Sequence, residues 1–380
     1  MTQNIMRPGI QTSPGKSPSL KILLKNFDYG LAFLVLAVSF YGIIVIYGAT
    51  YLIPGLSHYA WKQLVWLVIG LGAFVLVSMI DFRQIRQVVW PLYILVVLSL
   101  VGLLILGHRI KGARSWYSLG SYRIQPAEFA KIVVVLCLAH YLATKERAMD
   151  RIQDILIPGI LTGIPAVLIL FQPDFGTAIL FFPILLIMLY IGGASKKLIL
   201  LLVLLAVWIG MSAYPFLKPY QKGRIKVFLN PELDKKRQGY NIRQAEISLG
   251  SGGFLGKGWK QGTQTRLRFL PERHTDFIFS SLGEQFGFSG CALLLFLYGL
   301  IIFRALKPAH YALNKYGRLA VAGLVSCFLM HIFFNVGMSL RFLPVSGLPL
   351  PLFSYGGSFL LTNYLIFGMI ESINMRKYYY

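Results

Sequence analysis

Long apolar runs separated by short polar segments organise this chain. Runs close to the ~20 residues that cross a bilayer as a helix fall at about 28–50, 59–80, 88–107, 126–143, 155–171, 175–192, 197–217, 277–303, 318–340 and 354–372. They predict an all-α, polytopic membrane protein of ten transmembrane helices, and an even number puts both termini on one side. Residues 1–26 are polar and lack an apolar core, so they read as a disordered cytoplasmic tail, and the first run serves as signal and anchor together. The remainder, 27–380, reads as one membrane domain with a single large extracytoplasmic loop at 218–276. Two runs meet at Gln172-Pro173-Asp174-Phe175-Gly176, which requires a tight turn. The segment 275–306 would be ~48 Å long as one helix, against a hydrocarbon core of ~30 Å. Its first turns must project, tilt or kink, and Gly283, Gly287 and Gly290 are the places to bend.

Composition agrees: 56% hydrophobic and 13% charged residues exclude a set of soluble domains. Cys137, Cys291 and Cys327 lie inside apolar runs and are odd in number, which gives a disulfide framework no support. The net charge of +23 would point to nucleic acid in a soluble protein. In a membrane protein the same Lys and Arg fix orientation, so their placement matters more than their sum. With the N-terminus inside, every inner segment is basic. Two outer segments break the pattern: 108–125 carries Arg109, Lys111, Arg114 and Arg123 without an acid, and 218–274 carries thirteen basic residues against four acidic ones. A long loop crosses largely regardless of charge. Four cations on a short one oppose insertion unless an anion repays them, and a lipid-linked phosphate or diphosphate lies at that depth.

Only fourteen acids occur. Of these, Glu128, Asp174, Asp276 and Glu284 are functional candidates because ionisable groups in membrane helices are expensive. Asp174 stands where a carboxylate caps a helix N-terminus. Glu128 and Lys131 share a helix face, either as a satisfied ion pair or as the lining of a polar cavity that sets Lys131 on a phosphate. Asp276 stands where the basic loop meets the long apolar segment, beside Arg273 and His274, as a helix cap or as a general base for a sugar hydroxyl. The glycines of Gly250–Gly258 do not make a phosphate loop, since Ser251 and Gly258 break its pattern. They read as a hinge or a close backbone approach to substrate. No metal-ligand cluster is evident.

Several segments together resemble the SEDS family (shape, elongation, division and sporulation): Lys111-Gly112-Ala113-Arg114-Ser115-Trp116, Gln125-Pro126-Ala127-Glu128-Phe129-Ala130-Lys131, Gln172–Ala178, Gly239-Tyr240-Asn241, Pro271–Phe279 and Leu348–Ser358. Arg273 and the run Leu343–Pro349 look more like the elongation branch than the division branch. Two positions depart from the pattern: Arg341, usually small and apolar, and Phe359, usually a second Ser. The resemblance implies a peptidoglycan glycosyltransferase that polymerises lipid II at the outer face of the bacterial cytoplasmic membrane during cell elongation. It also implies a class B penicillin-binding protein as partner within the elongation machinery. Asp276 matches the family's essential aspartate, and Trp116 a tryptophan needed for activity. Asp276 is then the catalytic residue, and Arg114, Trp116, Glu128, Lys131, Arg224, Arg273 and His274 form the substrate-binding set. Arg114, Lys131, Arg224 and Arg273 are the candidates to stabilise a departing diphosphate. The sequence requires no cofactor, although a divalent cation (Mg²⁺ or Mn²⁺) on the diphosphate is compatible with it. A lipid II flippase and a noncatalytic scaffold for the transpeptidase are the alternative functions.

Overall fold

The computed structural model describes residues 19–378 except 54, 111–112, 121, 146–148, 217–218, 231–233 and 235–237. Besides the short α1 (Leu20–Asn26) and α4 (Phe82–Gln87), the predicted apolar runs form α2 (Tyr29–Thr50), α3 (Tyr59–Met79), α5 (Val89–Leu106), α6 (Pro126–Ala143), α7 (Gln153–Phe171), α8 (Phe175–Gly192), α9 (Lys196–Ala213), α13 (Ile278–Tyr311), α14 (Lys315–Ser339) and α15 (Gly357–Arg376). Among the described residues, eight of these are long and apolar enough to cross a membrane: α2, α3, α5, α6, α7, α8, α13 and α14. The less apolar α15 carries Asn363, Glu371, Asn374 and Arg376 in buried positions, a composition suited to an interior helix rather than one facing lipid. The chain is therefore a helical, multi-pass membrane protein.

α6, α14 and α15 form the centre of the bundle, while α3, α5 and α7 expose Leu, Ile, Val and Phe outward. With no apolar–polar contrast between protein and lipid, buried polar contacts and close packing hold such helices together. At one end of the bundle Asn26 donates to Met375 O (3.2 Å), Asn374 donates to Asn26 O (3.1 Å), and Asp28 N donates to Glu371 Oε1 (2.8 Å). The two ends of the described chain thus meet. The opposite end carries the long connections.

Those connections are more ordered than the reading as loops expects. Within 108–124 the described residues form a three-stranded antiparallel sheet, β1 (His108–Ile110), β2 (Ala113–Leu119) and β3 (Tyr122–Ile124), in which His108 pairs with Trp116 and Tyr117 with Ile124. Strand pairing satisfies the backbone groups of a short segment at the bilayer edge that is too polar to enter it. Within 218–276 the chain forms α10 (Pro219–Leu229), α11 (Gln238–Ser251) and α12 (Thr263–Arg266). Ala245 of α11 packs on Leu270 and Phe277.

α13 bends as its length demands, and at one of the three glycines named for it. Gly287 has φ +64° and ψ −162°, a conformation open to glycine alone at little cost. The ladder opened there is closed by the glycine-rich segment after α11. Lys257 N donates to Glu284 O (3.0 Å) and Gly258 N to Gln285 O (3.1 Å), while Phe288 N and Ser289 N donate to Gly253 O and Phe254 O (2.9 and 3.0 Å). A Cβ on Gly256 would lie 2.3 Å from Gln285 O, and one on Gly287 2.3 Å from Gly256 N. The close approach anticipated for this segment is thus made to α13. Gly287→Ala should lower stability by roughly 1–3 kcal/mol through its backbone conformation alone, with steric overlap adding to it. Thermal unfolding in detergent reads this as a reduced apparent Tm, and an unchanged value would show that the kink is not needed.

Candidate active site

Asp276 closes the turn Pro271–Phe277 that leads into α13. It does not cap that helix: the N-cap residue is Phe277, without a side-chain cap bond. What distinguishes the turn is how its backbone is held. Tyr355 N donates to His274 O (2.8 Å), Ser354 Oγ to Thr275 O (2.7 Å) and Asn335 Nδ2 to Asp276 O (2.9 Å). Three successive carbonyls thus receive donors from α14 and from the 340–356 connection. Each donor is itself fixed. Asn335 also donates to Leu348 O (2.7 Å), Ser354 Oγ accepts from Leu350 N (2.8 Å), and Gln63 of α3 donates to Ser354 O (3.0 Å) and accepts from Gly356 N (3.2 Å). The Asp276 carboxylate, half-buried, faces the left-handed Gly347 (φ +72°), where a Cβ would lie 3.5 Å from Oδ2.

One helical turn along α14 from Asn335, His331 reaches the ion pair expected in α6. Lys131 Nζ lies 2.8 Å from Glu128 Oε2 and 2.5 Å from His331 Nε2, with all three residues buried. An ammonium donating to both requires an unprotonated Nε2 on the imidazole. The Phe359 ring stands 5.8 Å from Lys131 Nζ and 4.9 Å from the His331 ring, so the residue that departs from the family pattern walls the cation. The other departure, Arg341, reaches Glu246 of α11 at 3.4 Å.

His274 lies among aromatic rings, 5.1 Å from Tyr59 and 5.8 Å from Tyr355, which stack on each other at 4.3 Å. Burial, and Tyr59 beside it, push the Tyr355 hydroxyl up to about 12 against the opposing charge of Arg123. Arg123 of β3 is thus within electrostatic reach of the Tyr355 hydroxyl.

The remaining predicted residues are distributed less simply. Arg273 is buried and donates to Thr265 O in α12. Burial, with Arg268 adding to it and Glu272 opposing, pulls its guanidinium below the usual range. Arg114 donates through Nη1 to Leu104 O at the end of α5 (3.0 Å), and its backbone N to Gln172 O (3.3 Å). Both arginines thus use part of their donor set within the protein. Trp116 is half-buried in β2. Arg224 belongs to α10, and its side chain lies outside the described residues. Asp174 caps α8, accepting from Thr177 N (3.1 Å), Thr177 Oγ1 (2.9 Å) and Gln125 Nε2 (2.9 Å). Glu284 is buried where Gln264 N (2.7 Å), Thr265 N (3.0 Å) and Thr265 Oγ1 (2.5 Å) donate to it, so its carboxylate holds α12. Among the described residues no three His, Cys, Asp or Glu side chains converge as a metal site. Asn335 and His331 escape the sequence reading, which weighs the acids of the membrane helices. Two lone polar residues four apart in an apolar run are the signal that marks them.

The family profile described as "Cell cycle protein" (FtsW/RodA/SpoVE) matches residues 29–379. The chain belongs to the FtsW/RodA/SpoVE family. It is 37% identical to the peptidoglycan glycosyltransferase MrdB of Escherichia coli K12, over 93% of this chain and 94% of that one. It is 33% identical to the peptidoglycan glycosyltransferase RodA of Treponema pallidum, over 93% and 99%. Among solved structures, one of a peptidoglycan synthase complex that coordinates polymerization and crosslinking superimposes with a TM-score of 0.82 at 32% identity, covering 93% of this chain and 99% of that one. The crystal structure of Thermus thermophilus RodA, a rod shape determining protein, matches at 0.70 and 30%, covering 93% and 98%.

The Glu128–Lys131–His331 cluster generates a stability prediction for this family member. Lys131→Met leaves the Glu128 carboxylate buried without its cation, a loss of roughly 3–5 kcal/mol. Glu128→Gln combined with Lys131→Met should recover most of it. The apparent Tm of the wild type, of each single variant and of the double variant measures the coupling, and additive losses would show that the pair contributes no mutual stabilisation.

Proposed function

We propose that this chain is a peptidoglycan glycosyltransferase that polymerises lipid II in a bacterial cytoplasmic membrane, with Asp276 as its general base. The observation that carries the reading is the clamped turn. A half-buried carboxylate is presented on a backbone that cannot shift, with the Lys131 ammonium one helical turn below the Asn335 clamp and the cationic sheet beside it. Similarity over more than nine-tenths of the chain to peptidoglycan glycosyltransferases supports the substrate class.

In the proposed reaction Asp276 accepts the proton of the GlcNAc 4-hydroxyl as that oxygen bonds to the MurNAc anomeric carbon of a second molecule. The bond from that carbon to undecaprenyl diphosphate breaks, and its electron pair leaves on the diphosphate. Attack opposite the leaving group inverts the carbon and converts an α-linked diphosphate into a β-1,4 bond. Lys131, Arg114, Arg224 and Arg273 are the cations proposed to meet the departing charge. The spare guanidinium donors of the two arginines tied to carbonyls remain for that task. A divalent cation, Mg²⁺ or Mn²⁺, would arrive with the diphosphate and have Asp276 as an oxygen ligand.

The arrangement of charge supports the orientation. Arg83, Arg86, Lys145, Arg151, Lys196, Lys197, Arg304, Lys315 and Lys377 belong to the end where the chain's two ends meet, which by the positive-inside rule is cytoplasmic. The clamped turn then opens to the outer face, where a class B penicillin-binding protein of the elongation machinery would join the new strands.

Asp276→Asn keeps the shape of the side chain and removes its basicity, so polymerisation of lipid II by the purified protein with its transpeptidase partner should fall by about 10²–10⁴-fold while the protein remains folded. Wild-type rates would reject the base. Movement of labelled lipid II between leaflets without polymer would favour a flippase, and neither activity a scaffold. Asn335→Asp is isosteric but turns acceptors toward two carbonyls. It should lower kcat while leaving KM for lipid II nearly unchanged, with Asn335→Gln recovering part of the rate. A loss confined to Tm would mean that Asn335 is structural only.

A further inference from the structure

Between α11 and α12 the chain runs through Gly252-Gly253-Phe254-Leu255-Gly256, five residues without a polar side chain. Phe254 is 68% exposed and Leu255 75%. The Phe254 ring stacks on Phe288 of α13, also exposed, with centroids 5.8 Å apart. Because the backbone of 253–258 pairs with the kink of α13, the height of this tip along the bundle is fixed.

Two helices measure that height independently. Asp28 and Arg304 form an ion pair at the end of the bundle where the chain ends meet, and such a pair belongs at or beyond the edge of the hydrocarbon. From Arg304, α13 climbs about 24 Å to Phe288 at about 1.5 Å per residue. From Asp28, α2 climbs about 24 Å to Ile44, whose carbonyl accepts from Trp259 Nε1 at 3.1 Å. Both values fall short of the ~30 Å hydrocarbon thickness. Helix tilt, or an ion pair out among the headgroups, places the tip deeper still. Residues 253–259 therefore lie about 6 Å inside the far edge of the apolar layer, though they follow a segment that sequence assigns to the aqueous side.

The polar groups nearby fit that depth. Lys257 turns back to Thr263 Oγ1 (2.8 Å) and Glu284 (3.5 Å). The Lys260 ammonium is surrounded by the rings of Trp259, Tyr47 and Tyr51, at 4.2, 4.6 and 4.9 Å from their centroids. Aromatic rings with a lysine whose charge reaches upward are the furniture of the bilayer interface.

We propose that the 252–259 segment is a lipid-inserted anchor, its Phe254 and Leu255 covered by acyl chains of the leaflet on the active-site side, and Lys260 at the level of the lipid phosphates. Its apolar surface is continuous with the lipid-facing side of α13 through Phe288. The anchor leads to the catalytic turn by a short route: its backbone binds α13 at Glu284 and Gln285, Glu284 holds α12, and the Thr265 carbonyl of α12 accepts from Arg273, three residues before Asp276. The inference is independent of the proposed reaction.

The test reads depth rather than activity. Full-length protein carrying Leu255→Cys, in phosphatidylethanolamine–phosphatidylglycerol vesicles, is labelled with an environment-sensitive fluorophore; the three native cysteines are buried. Lipids bearing a nitroxide high on the acyl chain should quench the label. Aqueous iodide should quench it several-fold less than the same label at Glu246→Cys on α11. Iodide quenching equal at the two sites would overturn the anchor. Protection from iodide without quenching by the lipid nitroxide would also overturn it, since the tip would then be covered by protein, such as a second copy of this chain.

Discussion

The turn that carries Asp276 depends on three hydrogen bonds accepted by consecutive carbonyls, those of His274, Thr275 and Asp276. A turn between a water-filled loop and a membrane helix has every reason to be loose, because its backbone groups can exchange partners with solvent. Here each carbonyl is assigned a donor from elsewhere in the fold, and those donors are held by Gln63, Leu350 and Leu348 in turn. The connection 340–356 is consequently shaped as much by what it holds as by what it joins. Tyr298, buried in α13, adds a further bond to Pro351 O at 2.7 Å. The proposed base needs its geometry set before substrate arrives, and the clamp sets it through the main chain.

The same economy of backbone partners governs α13. A helix of 34 residues cannot run straight through the membrane and also deliver its N-terminus to the Asp276 turn. The bend at Gly287 solves the geometry but opens peptide groups at lipid depth, where nothing from solvent can satisfy them. The glycine-rich segment answers this need, which is why its close approach is to α13. Glu284, one turn before the kink, then receives donors from Thr263, Gln264 and Thr265 of α12 in a buried setting. A carboxylate that looks catalytic by its isolation in the sequence is a structural acceptor, while Asp276, which looks like a helix cap, stands one residue before the N-cap Phe277.

Much of the fold is legible in the sequence because the bilayer imposes a length on each apolar run. The ten runs predicted match ten helices to within a few residues over most of their ends, and the excess length of one run forecast its kink. Glu128 and Lys131 are legible for a similar reason, since three residues on a helix set two side chains together regardless of the rest of the protein. What escapes is whatever depends on partners distant in sequence. The pairing of β2 with its neighbours, the reach of His331 to Lys131 across 200 positions, and the Asn335 clamp have no local signature beyond a polar residue among apolar ones. Arginine is the most misleading case. The charges of Arg114 and Arg273 are plain, but not that carbonyls at the ends of α5 and α12 already take part of their hydrogen-bonding capacity.

The two departures from the family pattern show how the fold absorbs change at its rim without disturbing its centre. Arg341 lies where a small apolar residue is usual, and its guanidinium is compensated on the surface by Glu246, joining the 340–356 connection to α11. Phe359 replaces a hydroxyl near a buried ammonium, which ought to be unfavourable: one potential hydrogen bond is lost. Lys131 already has Glu128 and His331, however, and an aromatic face offers a cation electrostatic compensation without a directional bond. The ring also packs beside the His331 imidazole, whose Nε2 faces Lys131. Lys131 therefore keeps a carboxylate, an imidazole nitrogen and an aromatic face around it whether or not a hydroxyl stands at position 359.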